Sequence, residues 1–209
     1  MSSGRIVIID YGMGNLASIQ NMLKHVGVLS SVSSDADEIA AADKLVLPGV
    51  GAFDNGMKSI AERGLRAVLD RRALENRVPV LGICLGMQLF ARRSEEGTEA
   101  GLGWMKADTI RFRFDGENAK LRVPHMGWNV VEAKKESVLF AQMYDEPRFY
   151  FVHSYHVVCD RAEDVLSTTP YGFPFTSAVE KGNLYGVQFH PEKSHKFGMR
   201  LLKNFAERA

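Results

Sequence analysis

The sequence predicts an α/β fold with a mostly parallel central sheet, helices on its faces and additional antiparallel strands. Continuous apolar runs such as 5–10 and 44–47 are typical of strands covered on both sides. The segments between the runs carry apolar residues at helical spacing, which indicates alternating strands and helices. Over 100–159 short alternating stretches separated by turns replace that pattern and indicate antiparallel strands.

Composition restricts the class of protein. Of the 209 residues, 45% are hydrophobic and 24% are charged, so we expect one domain over 1–209. The net charge of +1 favours neither a nucleic-acid nor a membrane partner. We expect a cytoplasmic location, because the N-terminus lacks an apolar signal-peptide core and no run could span a bilayer.

The chain contains two cysteines, Cys84 and Cys159. Two are too few for a disulfide scaffold and neither has the spacing of a metal ligand, so we expect no metal and no cofactor. Cys159 lies in an alternating, strand-like stretch and is interpreted as structural.

The first strand leads into a turn that could be mistaken for a dinucleotide site. After the run 5–10, Gly12 and Gly14 precede a helix with Asn15 as its predicted N-cap. Ala17 stands where a third glycine is expected, and no acidic ribose-binding residue ends a clear second strand. A simple strand-to-helix turn is the preferred interpretation.

Several further elements are predicted from apolar spacing. They are a strand at 28–32, a short helix opened by Asp35, helical structure over 55–76 with an interruption near Gly64, and a helix over 194–208. Antiparallel strands are predicted at 109–114, 121–123, 129–131 and 149–152. The stretch 124–129 is predicted to be a loop, either a binding surface or a loop that buries Trp128.

The stretch 78–90 is the centre of the predicted site. It consists of an apolar strand, a sharp turn that carries Cys84, and a helix. Gly82 and Gly86 allow a tight turn, as in the nucleophile elbow with sulfur in place of a serine hydroxyl. A helix N-terminus favours the thiolate, which is the nucleophile. The alternative is a buried structural cysteine on a core strand.

A cysteine nucleophile needs a base, and the end of the chain offers one. His190 follows the apolar run 184–189, and Pro191 forces the chain out of the strand ladder. Glu192 can hold one ring nitrogen of His190 while the other faces a thiol. His153 is a less suitable base, because no carboxylate stands near it in the sequence.

A glycine-rich loop follows the apolar run 44–47. It comprises Pro48, Gly49, Val50 and Gly51. The carboxyl ends of parallel strands meet at one edge of a sheet, so we expect this loop beside the elbow. There its N–H groups can point at a tetrahedral oxyanion.

Six motifs together resemble the class I glutamine amidotransferases, and most of all the glutaminase subunits of imidazole glycerol phosphate synthases. They are DYGMGNL (10–16), LPGVGAF (47–53), GICLGMQ (82–88), PHMGWN (124–129), YFVHSY (150–155) and GVQFHPEKS (186–194). The resemblance covers nearly the whole chain and implies a flavodoxin-like sheet. Surface loops near Thr98 and over 145–148 are slightly longer than in the family pattern.

The resemblance implies that Cys84 attacks the side-chain amide of glutamine, with His190 as base and Glu192 orienting it. Further roles are implied by position alone. They are an oxyanion hole from N–H groups of Val50 or Gly51 and Leu85, substrate contacts from Gly49, Gln88, Glu96, Ser154 and Tyr155, and a partner interface at Met126, Trp128 and Asn129.

The implied partner is a cyclase subunit with a (β/α)8 barrel, bound as an obligate heterodimer, which receives the ammonia and controls the oxyanion loop. One alternative is a glutaminase serving another synthase, such as that for pyridoxal phosphate, guanylate or anthranilate; the motif 124–129 argues against it. The other is a non-catalytic interaction subunit, which intact Cys84, His190 and Glu192 make a poorer interpretation.

Overall fold

The computed structural model describes residues 4–209, so Met1, Ser2 and Ser3 of the predicted domain and N-terminus lie outside the described residues. The strands are β1 (Ile6–Ile9), β2 (Ser30–Ser33), β3 (Lys44–Gly49), β4 (Val80–Cys84), β5 (Ala107–Arg111), β6 (His125–Val130), β7 (Glu132–Ala133), β8 (Arg148–His153), β9 (Tyr155–Cys159), β10 (Val165–Tyr171), β11 (Phe173–Lys181) and β12 (Leu184–Val187). The helices are α1 (Leu16–His25), α2 (Ala36–Ala40), α3 (Phe53–Glu62), α4 (Arg66–Asp70), α5 (Leu85–Gln88) and α6 (His195–Arg208). A π-helical turn follows α4 at Arg71–Glu75, and 3₁₀ turns occupy Gly116–Asn118, Val138–Phe140, Ala162–Asp164 and Pro191–Lys193.

Strand pairing divides the larger sheet into a parallel and an antiparallel part. The strands β2, β1, β3, β4 and β12 lie side by side in this order and are parallel, which is the strand order of flavodoxin-like folds. The strands β11, β10 and β7 continue the sheet in antiparallel fashion, and β9 pairs with both β11 and β5. The strands β6 and β8 form a separate antiparallel pair. The predicted α/β class with additional antiparallel strands is confirmed.

Apolar side chains cover both faces of the parallel part. In β1, Val7 and Ile9 join a cluster with residues of α2, α3 and α4, whereas Ile6 and Ile8 join a second cluster with residues of α1 and α6. A strand packed on both faces has no solvent-facing positions, which explains why its sequence is a continuous apolar run.

The predicted helix ends agree with the structure. The side chain of Asn15 accepts a hydrogen bond from the N–H of Ser18, and that of Asp35 accepts two from the first turn of α2. These acceptors satisfy N–H groups that the first turn of a helix leaves without partners. The interruption near Gly64 separates α3 from α4, as predicted. None of the helices within residues 4–209 is long and apolar enough to cross a membrane.

Two predictions of local structure are wrong, and the bounds of two strands differ from those predicted. Residues 121–123 form no strand, because the N–H of Leu121 donates to the carbonyl of Asn118 in a turn. The predicted loop 124–129 lies almost entirely in β6, which pairs along its length with β8; this distant partner overrides the local proline and glycine signals. The predicted strands 28–32 and 109–114 are present with shifted bounds, as β2 (Ser30–Ser33) and β5 (Ala107–Arg111).

Two glycines set the distance between α5 and the sheet. A Cβ atom on Gly86 would overlap the carbonyl of Leu47 in β3, and one on Gly82 would lie 2.8 Å from backbone atoms of Gly86. Only glycine at both positions allows the first turn of α5 to pack directly on β3 and β4. The predicted elbow therefore depends on close backbone contact.

We expect Gly86→Ala to lower the free energy of unfolding by about 3 kcal/mol or more, because its methyl group must displace the backbone of β3. Urea unfolding followed by circular dichroism measures this. The matched control is Gly56→Ala in α3, whose added Cβ would meet only leucine side-chain atoms, at 3.3 Å and beyond. A Gly86→Ala variant as stable as this control would contradict the packing argument.

Candidate active site

The carboxyl ends of three neighbouring strands define the site. The register of β3 and β4 places Gly49 beside Cys84, and that of β12 and β4 places Val187 beside Ile83. The chain continues from β12 to His190, whose N–H donates to the carbonyl of Tyr150 at 2.9 Å. Cys84, the glycine-rich loop and His190 therefore leave the sheet at one edge, as predicted.

Cys84 lies at the junction of β4 and α5 with a φ of +52° and a ψ of −108°. It is 7% exposed, and its sulfur accepts a hydrogen bond from Gln188 Nε2 at 3.6 Å. The helix α5 is a single turn of 4 residues, so its dipole acts on the sulfur more weakly than the dipole of a long helix would. Cys84 also lines the cavity described below.

His190 and Glu192 form a buried pair. The distance from His190 Nδ1 to Glu192 Oε1 is 2.8 Å, and the two side chains are 1% and 2% exposed. An ionised carboxylate only accepts hydrogen bonds, so Nδ1–H donates and Glu192 fixes the ring orientation. Burial alone would lower the pKa of His190, but Cys84 and Glu192 oppose it and raise that pKa to about 10.

A cavity of about 490 Å³ opens beside these groups. Most of the predicted site residues line it. The lining consists of Val50, Gly51, Ala52, Cys84, Leu85, Gln88, Glu96, Pro124, Val152, His153, Ser154, Tyr155 and His190. Of the remaining predicted residues, Gly49 ends the adjacent strand, and Glu192 lies behind His190. The volume is suitable for a small molecule such as an amino acid.

Gln88 and Glu96, predicted to bind substrate, are already hydrogen-bonded to the protein. Gln88 Nε2 donates to the carbonyl of Tyr155 at 3.2 Å and to Gln188 Oε1 at 3.0 Å. Glu96 Oε2 accepts from the N–H of Phe53 at 2.8 Å, which leaves the other carboxylate oxygen for a ligand. These contacts hold both side chains in fixed positions at the cavity wall.

Tyr11 supports the glycine-rich loop, a role that the sequence patterns did not predict. The buried Tyr11 hydroxyl donates to the carbonyl of Pro48 at 2.6 Å. The hydroxyl of Ser59 donates to the main-chain carbonyl of Tyr11. A Cβ atom on Gly49 would overlap the Tyr11 hydroxyl. Burial, together with Cys84, holds the pKa of Tyr11 far above its usual range, so the phenol stays a donor. Its position directly after β1 was the available signal.

The strand β6 presents two faces of different character. Met126 and Trp128 are 62% and 47% exposed, and Trp128 stacks on His195 with 5.4 Å between ring centroids. Asn129 lies on the other face, where its Nδ2 donates to the carbonyl of Pro170 at 2.8 Å. Two large apolar side chains on one exposed face are typical of a docking surface.

Three further histidines are buried beside the cavity, and one of them, His153, is part of its lining. His125, His153 and His156 pack among aromatic rings that include Phe112 and Phe175. Burial lowers the pKa of each, to about 4, 3 and 4 respectively. All three are therefore neutral at neutral pH, in contrast to His190. Neither ring nitrogen of His156 has a hydrogen-bond partner within residues 4–209.

The second cysteine adds no chemistry to the site. Cys159 is a free thiol, and burial raises its pKa to about 12. Because the thiolate is the reactive form, Cys159 is a poor nucleophile, in agreement with its predicted structural role. The part of the chain that the structure describes also contains no group of three or more His, Cys, Asp or Glu side chains placed to hold a metal ion.

Comparison with known proteins identifies the family. Residues 7–209 match the family model described as glutamine amidotransferase class-I. The chain therefore belongs to the class-I glutamine amidotransferases. Its fold agrees with a crystal structure of a glutamine amidotransferase, with a TM-score of 0.70 and 22% identity over 96% of this chain and 97% of that one. It agrees equally with the structure of PurLQS from Thermotoga maritima, with a TM-score of 0.70 and 18% identity over 96% of each chain.

Curated relatives narrow the assignment. Imidazole glycerol phosphate synthase subunit HisH 2 of Methanococcus maripaludis is 49% identical over 98% of this chain and 100% of its own length. The protein of the same name from Pseudomonas aeruginosa is 50% identical over 97% of this chain and 98% of its own length. Within the class-I family the chain thus groups with the HisH subunits of imidazole glycerol phosphate synthase.

The buried histidines make stability depend on pH. Between about pH 6.5 and pH 4 an unfolded histidine binds a proton that a folded one with a lowered pKa does not, so stability falls as pH falls, by up to about 1.4 kcal/mol per pH unit per histidine. His190, whose pKa is raised to about 10, has its effect at higher pH: its stabilising contribution is complete below about pH 6.5 and is lost as the pH rises toward 10. We expect His156→Phe, which removes no hydrogen bond, to weaken the acid loss of stability.

Urea unfolding at several pH values between about pH 7 and pH 4.5 tests this expectation. If His156→Phe has the same pH slope as wild type, the folded protein does not hold His156 neutral in this range.

Proposed function

We propose that this chain hydrolyses glutamine to glutamate and ammonia through a Cys84–His190–Glu192 triad and passes the ammonia to a cyclase subunit. The observation that carries the proposal is the buried His190–Glu192 pair, 2.8 Å from Nδ1 to Oε1, at the same sheet edge as the Cys84 elbow. The names of the relatives at 49% and 50% identity direct it to histidine biosynthesis.

The first half of the reaction forms a thioester. The Cys84 thiolate attacks the side-chain carbonyl carbon of glutamine, and the protonated His190 gives its Nε2 proton to the amide nitrogen. The C–N bond breaks, ammonia leaves, and the acyl group stays on sulfur. The raised pKa of His190 supports this step, because a cationic imidazolium favours the thiolate and holds the proton that the leaving nitrogen needs.

Backbone N–H groups stabilise the tetrahedral oxyanion. We assign this role to Leu85, the first residue of α5, and to Val50 or Gly51 in the loop after β3. The pairing of Gly49 with Cys84 supports the assignment, since it brings this loop to the nucleophile. Fixed N–H donors of this kind contribute several kcal/mol to acyl transfer, ~3–4 in the best measured case.

The second half of the reaction hydrolyses the thioester. His190, now neutral, takes a proton from water, the hydroxide attacks the thioester carbonyl, and glutamate leaves as the Cys84 sulfur is released. We propose that backbone groups of Ser154 and Tyr155 bind the α-ammonium and α-carboxylate groups of glutamine. The free carboxylate oxygen of Glu96 suits an ammonium or amide N–H donor.

The partner is a cyclase subunit with a (β/α)8 barrel in an obligate cytoplasmic heterodimer. The exposed Met126 and Trp128 support β6 as part of the docking surface. Pro124, the residue before β6, lines the cavity together with Val50, which is 44% exposed. Asn129, on the opposite face of β6, belongs to the same partner interface. A partner docked on β6 is thereby brought close to the oxyanion loop, and through this loop docking activates the glutaminase.

Release of glutamate from glutamine by the purified chain is the direct test. We expect slow release by the chain alone and a rise when the cyclase and its ribotide ligand are added. Cys84→Ala should abolish release under both conditions, because the thioester cannot form. Cys159→Ala is the matched control and should retain wild-type activity.

Two outcomes would contradict parts of the proposal. Rapid release that is indifferent to the cyclase would leave the Cys84 chemistry and remove the partner assignment. No release under any condition would remove the glutaminase function and favour a non-catalytic interaction subunit.

The role of Glu192 gives a separate prediction. Glu192→Gln keeps the shape of the side chain and removes the charge that helps to raise the pKa of His190. We expect kcat to fall by roughly 10²–10⁴-fold, as in other triads with an altered acid. The rate of Cys84 alkylation by iodoacetamide is measured at several pH values by peptide mass spectrometry. Its rise with pH should shift to higher pH than in wild type. Glu207→Gln, at an exposed position, is the control. If Glu192→Gln has the same kcat and the same pH dependence of alkylation as Glu207→Gln, the assignment of Glu192 to the triad is wrong.

A further inference from the structure

A chain of side-chain hydrogen bonds runs from β6 to the wall of the cavity. The distance from Asn129 Nδ2 to His125 Nε2 is 3.2 Å, and that from His125 Nδ1 to His153 Nε2 is 3.1 Å. His153 Nδ1 then lies 2.7 Å from the carbonyl oxygen of Tyr155. The register of β6 and β8 places His125 directly opposite His153, so the two rings meet between the strands.

The direction of every bond in this chain is determined by its last acceptor. The carbonyl of Tyr155 only accepts, so the proton of neutral His153 is on Nδ1, and its Nε2 accepts. His125 must then donate from Nδ1 and accept at Nε2 from the amide of Asn129. The same amide donates to the carbonyl of Pro170 and accepts from the N–H of Val130, which fixes its orientation.

A second chain reaches the same carbonyl from the side of the nucleophile. Gln88 Nε2 donates to Tyr155 O and to Gln188 Oε1, and Gln188 Nε2 donates to Cys84 Sγ. The carbonyl of Tyr155 is therefore the common acceptor of the two chains. One is made of histidines and begins on β6; the other is made of glutamines and ends at the sulfur.

The environment makes these bonds strong determinants of geometry. His125 and His153 are 3% and 6% exposed, and Gln88 and Gln188 are also buried. In a low-dielectric interior an unpaired polar group carries a large free-energy cost, so each member holds its neighbour in place. The lowered pKa values of both histidines agree with the neutral forms that the chain requires.

We propose that His125 and His153 are positioning residues for glutamine binding: they hold the Tyr155 carbonyl, and through it Gln88, in the geometry that receives the substrate. This inference rests on the proposed glutaminase function. His190 and Glu192 are outside both hydrogen-bond chains, because Glu192 orients His190 instead. The histidine chain of hydrogen bonds begins on β6, and the other face of β6 exposes Met126 and Trp128.

Glutamine kinetics of three variants, measured with the cyclase present, test the proposal. His125→Phe keeps the stacking against Phe151 and Tyr171 but removes both hydrogen bonds. It should raise the KM for glutamine roughly tenfold, the effect of about one lost hydrogen bond, with kcat within about twofold of wild type. His125→Asn restores a donor near the position of Nδ1 and should recover most of the KM.

The matched control is His156→Phe, in the same aromatic cluster but without hydrogen bonds at its ring nitrogens. It should leave KM unchanged. Urea unfolding midpoints establish that the variants fold. Equal KM values for His125→Phe and His156→Phe, or no recovery in His125→Asn, would overturn the proposal.

A second measurement does not depend on activity. ¹⁵N NMR of histidine-labelled wild-type protein reports which ring nitrogen carries the proton. We expect His125 and His153 both in the Nδ1–H form. The Nε2–H form in either residue would overturn the proposed hydrogen-bond chain. If wild type releases no glutamate while both tautomers are as expected, the proposed function fails and the hydrogen-bond chain stands.

Discussion

Parallel backbone pairing of β4 with β3 on one side and β12 on the other fixes the geometry of the candidate site. The register sets Gly49 beside Cys84 and delivers His190 to the same edge. The hydrogen bonds between these strands join main-chain groups, so the arrangement does not depend on the side chains of the loops. The glycines at 82 and 86 add the second constraint, because they let α5 pack directly against this edge.

The fold uses one residue type in two opposite ways. His190 lies beside a buried carboxylate and a sulfur, and these hold its pKa above the usual range. His125 and His153 lie among aromatic rings with only neutral partners, and burial holds their pKa values below it. The surroundings of each imidazole therefore decide whether it is held protonated, as in His190, or neutral, as in the other two.

Sequence patterns predicted the parts of the fold and site that depend on neighbours along the chain. The apolar runs identified the parallel strands, and the spacing of Gly82, Cys84 and Gly86 identified the elbow. The patterns failed where distant partners decide: β6 forms because β8 lies beside it, against its local composition. The roles of Tyr11 and Gln188 were missed for the same reason, since their hydrogen-bond partners lie far away in sequence.

The torsion angles at Cys84 have a consequence for how the protein can change. A φ of +52° with a ψ of −108° is a conformation that residues with side chains rarely adopt, and it carries about 1–3 kcal/mol of strain. Glycine would relieve that strain and remove the sulfur. Reactivity and robustness are thus in conflict at this one position, and any change that relaxes the turn also withdraws the sulfur from the cavity.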